Sequence, residues 1–147
     1  MRLSNTRTRP RSKPSALRER EERLRAGRAA AQPLRNACPS ATFVNVQLRF
    51  LPATAPAHVA QSFVLYPAAK AYFAYPCPYG DCSGIYNLDL EASRAMAAEK
   101  SRVTGTLECA GTRSHIGQPR EQCGLQVRYM ITTKHEAEST AQLHATD

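Results

Sequence analysis

The chain has 147 residues and carries 20 Lys and Arg against 12 Asp and Glu, a formal charge of +8. That length has room for one domain and a tail, because compact domains run from roughly 100 to 200 residues. No run approaches the roughly 20 apolar residues needed to cross a bilayer, and the N-terminus lacks the apolar core of a secretory signal, so the expectation is a cytoplasmic protein without a membrane partner.

The charge is concentrated at one end. Residues 1–35 hold eleven bases and three acids, whereas residues 36–147 hold nine of each. A like-charged, aromatic-free stretch cannot bury enough apolar surface to offset the entropy of ordering it. Residues 1–35 are therefore expected to form a basic tail, disordered or transiently helical. Its acid-free first 18 residues also fit an organellar transit peptide. Glu19 with Arg23 and Glu21 with Arg25 stand at i,i+4 and support a helix, while Leu17, Leu24 and Ala31 recur every seven residues, too thin a seam for a coiled coil. Gly27 interrupts the pattern and Pro33 ends it.

Alternation with a period of two opens the folded part. Val44, Val46, Leu48 and Phe50 point one way and Asn45, Gln47 and Arg49 the other, which predicts a half-buried strand. Pro52 and Pro56 mark a loop, and short strands are expected over 62–66, 71–75 and 84–88. Asp89 is placed to cap a helix over residues 90–100. Two more strands follow. Val103, Leu107 and Cys109 share one face of the first, and Leu125, Val127, Tyr129 and Ile131 share one face of the second. Residues 36–134 are thus read as one β-rich domain and residues 135–147 as a flexible C-terminus.

Five cysteines are present. Cys77 and Cys82 enclose Pro78, Tyr79, Gly80 and Asp81, a spacing suited to paired zinc ligands, with Pro and Gly letting the backbone curl. Cys109 is followed closely by Gly111 and Cys123 directly by Gly124, so backbone N–H groups can turn toward the thiolates. With predicted strands bordering each pair, residues 72–131 resemble a zinc ribbon, in which two ligand-bearing turns close hairpins around a four-cysteine site. The resemblance implies a structural Zn2+ held by Cys77, Cys82, Cys109 and Cys123. It also implies a mainly β fold with one short helix (α+β), a small antiparallel sheet with zinc-ribbon-like hairpins behind the basic tail. Thirteen residues separate Cys109 from Cys123, where a ribbon knuckle has two to four. Either residues 112–122 are an insertion or His115 replaces a cysteine. Two disulfides are disfavoured by the odd cysteine count and the lack of a signal sequence. Cys38 reads as an ordinary thiol.

A catalytic zinc needs an open coordination position and a nearby base, and four thiolates close that position. The zinc-deaminase signature, the nucleophile elbow, the phosphate-binding loop and the dinucleotide fingerprint are all absent from the sequence. His58, His115, His135 and His144 fall in expected loops or the C-terminus and read as solvated, and Asp81 and Glu108 as acceptors of local backbone hydrogen bonds. The expectation is a non-enzymatic accessory protein that binds RNA or DNA through the arm bearing Arg2, Arg7, Arg9, Arg11, Lys13, Arg18, Arg20, Arg23, Arg25 and Arg28. Arg suits bidentate contact with phosphate. Tyr72, Phe73, Tyr75, Tyr79 and Tyr86 either stack on bases or pack a core. The alternatives are a module for an acidic protein partner and a redox or metal-handling thiol protein. Oligomeric state is not legible.

Overall fold

The computed structural model describes residues 15–51, 60–97, 101–113 and 121–136. The expectations for Arg2, Arg7, Arg9, Arg11 and Lys13, for the loop at 52–59, for His58, His115 and His144, and for residues 137–147 lie outside them. The described part is mostly β, an antiparallel sheet with a few helices, and none of those helices is long and apolar enough to cross a membrane.

Four strands make the main sheet: β1 (Ala41–Leu51), β2 (Ala60–Leu65), β5 (Arg102–Glu108) and β8 (Gln126–His135), in the order β2-β1-β8-β5, with every pairing antiparallel. The alternation in the sequence is the alternation of faces. Val44, Val46, Leu48 and Phe50 of β1 and Val127 and Ile131 of β8 are buried on the inner face. Register carries Phe63, Val46, Ile131 and Val103 across all four strands as one apolar row. Full burial of such a side chain stabilises by about 1.5–3 kcal/mol, so this face supplies the core.

The inner face is covered by α3 (Asp89–Met96), whose Ala92 and Ala95 are fully buried, and by α2 (Leu34–Ala37), whose Leu34 is fully buried. Asp89 does not cap α3. It is the first helical residue, its own N–H is accepted by Asn87 Oδ1 at 2.9 Å, and its carboxylate accepts the Phe73 N–H at 3.2 Å. The carboxylate takes the amide of Phe73, just ahead of β3, which ties the helix start to the chain 16 residues upstream. The helix ends at Met96.

Two small ribbons rise from this body. One is β3 (Ala74–Pro76) paired with β4 (Ile85–Asn87), and the other is β6 (Thr112–Arg113) paired with β7 (Glu121–Gln122). Helix α1 (Ser15–Ala30) lies against β3. Gly27 allows the contact, because a Cβ there would enter the Tyr72 ring. The Leu17 and Leu24 that recur in the sequence are half-buried on the inward side of α1. Lys70 Nζ donates to the carbonyls of Ala29 at 3.3 Å and Ala31 at 2.8 Å, satisfying the open C-terminal end of the helix.

His135 is a correction to the sequence reading. It pairs with Ala41 at the end of β8 and is only 7% exposed, with Nδ1 hydrogen-bonded to Ser40 Oγ at 2.9 Å. The period-two pattern simply continues from Ile131 through buried Thr133 to His135. Phe73, Tyr75 and Tyr86 are likewise core residues: Tyr75 stacks on Phe63 with centroids 4.6 Å apart, and Phe50 meets Tyr86 at 5.6 Å. Buried rings are closed to base stacking.

Candidate metal centre

Cys77 sits at the foot of the turn joining β3 to β4, opposite Gly84, and Cys82 lies within that turn. The Cys77 N–H continues the ladder to Gly84 O at 3.0 Å, and the Cys82 N–H closes the turn on Tyr79 O at 3.2 Å. Cys109 follows β5 directly and Cys123 precedes β8 by two residues. The backbones there stay paired, with Cys109 N–H on Leu125 O at 2.9 Å, Gly124 N–H on Cys109 O at 3.2 Å and Cys123 N–H on Gly111 O at 2.9 Å. Gly124 takes φ +67°, the left-handed conformation that kinks the strand at this point. The described ends of the segment between Cys109 and Cys123 pair as β6 and β7 in the register that joins β5 to β8, so the two cysteines stand on opposite strands of one continued hairpin.

All four sulfurs lie within 4.8 Å of one another. Cys77 and Cys123 Sγ are 3.9 Å apart, and Cys82 and Cys109 Sγ are 3.6 Å apart. A disulfide holds its sulfurs at about 2.05 Å, so these are free thiols. Four ligands at about 2.3 Å from a tetrahedral zinc stand about 3.8 Å from each other. The measured separations bracket that value, and each of these two pairs joins one hairpin to the other. The chain thus presents a four-cysteine site that can hold a metal ion. Cys77, Cys82 and Cys109 are 3%, 0% and 2% exposed, which withdraws the site from water.

Backbone amides turn toward two of the sulfurs, at Gly111 as the sequence suggests and at Gly84, which it does not single out, whereas the Gly124 N–H is taken by Cys109 O. Gly84 N–H donates to Cys82 Sγ at 3.3 Å and Gly111 N–H to Cys109 Sγ at 3.4 Å. Without a cation, Cys109 ionises first, its thiol held near about 5 by a hydrogen bond from Cys77 and by Gly111 N–H against the opposing effect of burial. Burial pushes Cys82 up to about 12, against the Gly84 N–H, and Cys77 rises because its thiol donates a hydrogen bond to Cys109 and is buried as well. Four thiolates cannot coexist in this space without a positive ion, and a bound dication removes the protons outright. Beneath the cluster Tyr86 is buried and donates to Leu125 O at 2.6 Å, with its hydroxyl pKa raised by burial and then by the adjacent thiols.

The two hairpins are also bonded to each other. Ser83 N–H donates to Thr112 O at 3.0 Å, and Thr112 N–H donates to Ser83 Oγ at 3.1 Å. Asp81 pairs with Arg113 at 3.0 Å, and that guanidinium lies 3.9 Å over the Tyr79 ring. Gly84 and Gly111 stand back to back, each leaving no room for a Cβ on the other side.

Of the arm residues, Arg20 and Arg28 are engaged within the fold. Arg20 Nη1 donates to Cys82 O at 2.6 Å, and Arg28 lies 5.4 Å over the Tyr72 ring. Arg18, Arg23 and Arg25 are exposed, with Arg25 3.7 Å from Glu22. Cys38 is buried away from the cluster, its Sγ 3.7 Å from Met96 O. Arg20 is the site residue that sequence reasoning missed in this role. One base among eleven in the tail offers no local signal of a tertiary contact. Compared with known proteins, the chain matches no family model, no curated protein and no solved structure.

Proposed function

We propose that this is a small, non-catalytic zinc protein in which the metal is a structural staple, and that it serves as an accessory nucleic-acid-binding protein through its Arg-rich arm. The observation that carries the metal reading is the set of four sulfurs within 4.8 Å, three of them buried and two facing pairs at tetrahedral spacing. Four thiolates fill the coordination shell and leave no position for a substrate or a reactive water. An all-thiolate tetrahedral set favours zinc or iron over the harder cations. For the arm, the supporting observation is a division of labour on α1. Arg20 and Arg28 face the body, while Arg18, Arg23 and Arg25 face solvent, where phosphates are within reach.

Elemental analysis of protein purified under reducing conditions tests the first half: one zinc per chain is expected, lost in Cys109→Ser, and a metal-free chain whose two ribbons stay folded would sink the reading. The second half is tested by oligonucleotide binding of an Arg18→Gln, Arg23→Gln, Arg25→Gln variant. Affinity is expected to fall and its salt dependence to flatten, and an unchanged titration removes the arm from the account.

A further inference from the structure

The outer face of the main sheet carries no described helix or strand, and it is not neutral. On the two central strands Arg49 of β1 stands directly opposite Arg128 of β8. Like charges opposed across neighbouring strands destabilise a sheet. Among the described residues no carboxylate forms an ion pair with either guanidinium. The same face holds Arg102 and Lys134, with Glu108 at its far end as the one carboxylate among the described positions. Four of the nine bases of residues 36–147 thus share this face with one described carboxylate, although those residues hold acids and bases in equal number.

Around the arginine pair the sheet is concave and forms an open groove of about 530 Å³. Its lining carries the hydrogen-bonding groups of Ser62, Gln47 and Thr104 in one row, with apolar Met130 between the last two on β8, and Thr106 beside Arg128 in the next. Six residues back along β1, about 20 Å at strand rise, Phe43 holds Tyr66 edge-on at 6.3 Å, and Tyr66 is 60% exposed. This ring, unlike Tyr75 and Tyr86, is open to stacking.

We infer that this concave sheet face is a binding groove for single-stranded nucleic acid, with Arg49 and Arg128 receiving phosphates and Tyr66 receiving a base. The inference rests on the nucleic-acid reading above but assigns the contact to the sheet rather than to the arm. Charge complementarity selects a polyanion. The hydroxyl and amide walls and the exposed aromatic, at a distance spanned by a few nucleotides, select a nucleic acid over an acidic peptide.

The test uses the zinc-loaded full chain and a fluorescein-labelled single-stranded RNA of about 12 nucleotides, followed by anisotropy over a salt series. Arg49→Gln with Arg128→Gln is expected to weaken binding at least about tenfold and to lower the slope of log K against log salt by about 1.4, the loss of two single-strand phosphate contacts. This variant melts no lower than the parent, because it relieves a like-charge contact. Arg128→Gln alone gives an intermediate affinity, and Tyr66→Ala weakens binding with the salt slope unchanged. Unchanged affinity in the double variant overturns the groove, even if the arm variant binds poorly. Wild-type protein that fails to bind the RNA, or that binds oligoglutamate as tightly, overturns it as well. Loss in the groove variant with an unaffected arm variant upholds the groove and removes the arm.

Discussion

Gly84 stands with its Cα against two of the four sulfurs, so that an added Cβ would press into Cys109 Sγ and lie within 3.4 Å of Cys82 Sγ. The constraint is space and not backbone conformation, because only Gly124 takes a positive φ among the described glycines. Overpacking of this kind costs about 1–3 kcal/mol, and here the obstructed atom is one a metal must hold in place. Gly84→Ala is therefore expected to weaken zinc binding about tenfold or more, read by competition with a chromogenic chelator, whereas Gly80→Ala, which meets nothing within 4 Å, leaves affinity unchanged. The thiols set the pH dependence. In the metal-free fold Cys82 is pushed up to about 12 and Cys77 lies higher, so both are protonated at neutral pH, while Cys109 at about 5 is already ionised. Metal must displace the protons of the first two, and binding strengthens as pH rises. Zinc affinity measured between pH 6 and 8 should climb with a slope of about two or more, with matching proton release in weak buffer. A flat profile would mean that the thiols are not the ligands.

Helix α1 is held to the body at its C-terminal end by Tyr72 and Lys70 and, nearer its start, by Arg20 on the metal-bearing hairpin. Arg20 reaches the carbonyl of a ligand residue, Cys82, and a site of one dication and four thiolates carries two net negative charges beside that guanidinium. A charge-assisted hydrogen bond contributes about 1.5–3 kcal/mol, enough to decide whether a short amphipathic helix stays docked. Arg20→Met should raise hydrogen exchange across residues 15–30 with zinc content unchanged, and chelating the metal from the parent should raise it similarly. Exchange in α1 that ignores both changes would show the helix is held elsewhere. The contrast with the cysteines explains what could be read beforehand. Cys77 and Cys82 were legible because Pro78 and Gly80 make a local turn that needs no partner, and the strands because burial imposes period two on residues such as Val44 to Phe50. Arg20 owes its role to a segment 62 residues away, which no local pattern encodes. The β6 and β7 pairing escaped for a related reason: two residues on each strand are too few to show alternation.

The molecule as a whole is a sheet that holds itself together and a pair of ribbons that do not. The sheet has apolar rows running across its strands, with Val44, Val46, Val127 and Ile131 fully buried. The ribbons have two or three residues per strand and bury mainly the cysteines, Tyr86 and their neighbours. A two-stranded ribbon of that length is not stable in water on its own. Structural zinc binding contributes about 10–16 kcal/mol in isolated fingers, as large as the 5–15 kcal/mol that stabilises an ordinary domain. The hydrogen bonds joining Ser83 to Thr112 are worth about 1 kcal/mol each and cannot substitute. Removing the metal should therefore divide the molecule rather than abolish it. In reduced, chelated protein, hydrogen exchange is expected to rise over residues 74–87 and 109–125 and to stay slow at the centres of β1 and β8, where Val46 pairs with Ile131. Cys109→Ser should reproduce the pattern and Cys38→Ser should not, since Cys38 lies in the core outside the cluster. Uniform loss of protection would make the zinc the keystone of the entire domain. Uniform retention would show that the hairpins close around their four thiols without it, and the staple assigned to Cys77, Cys82, Cys109 and Cys123 would have to be withdrawn.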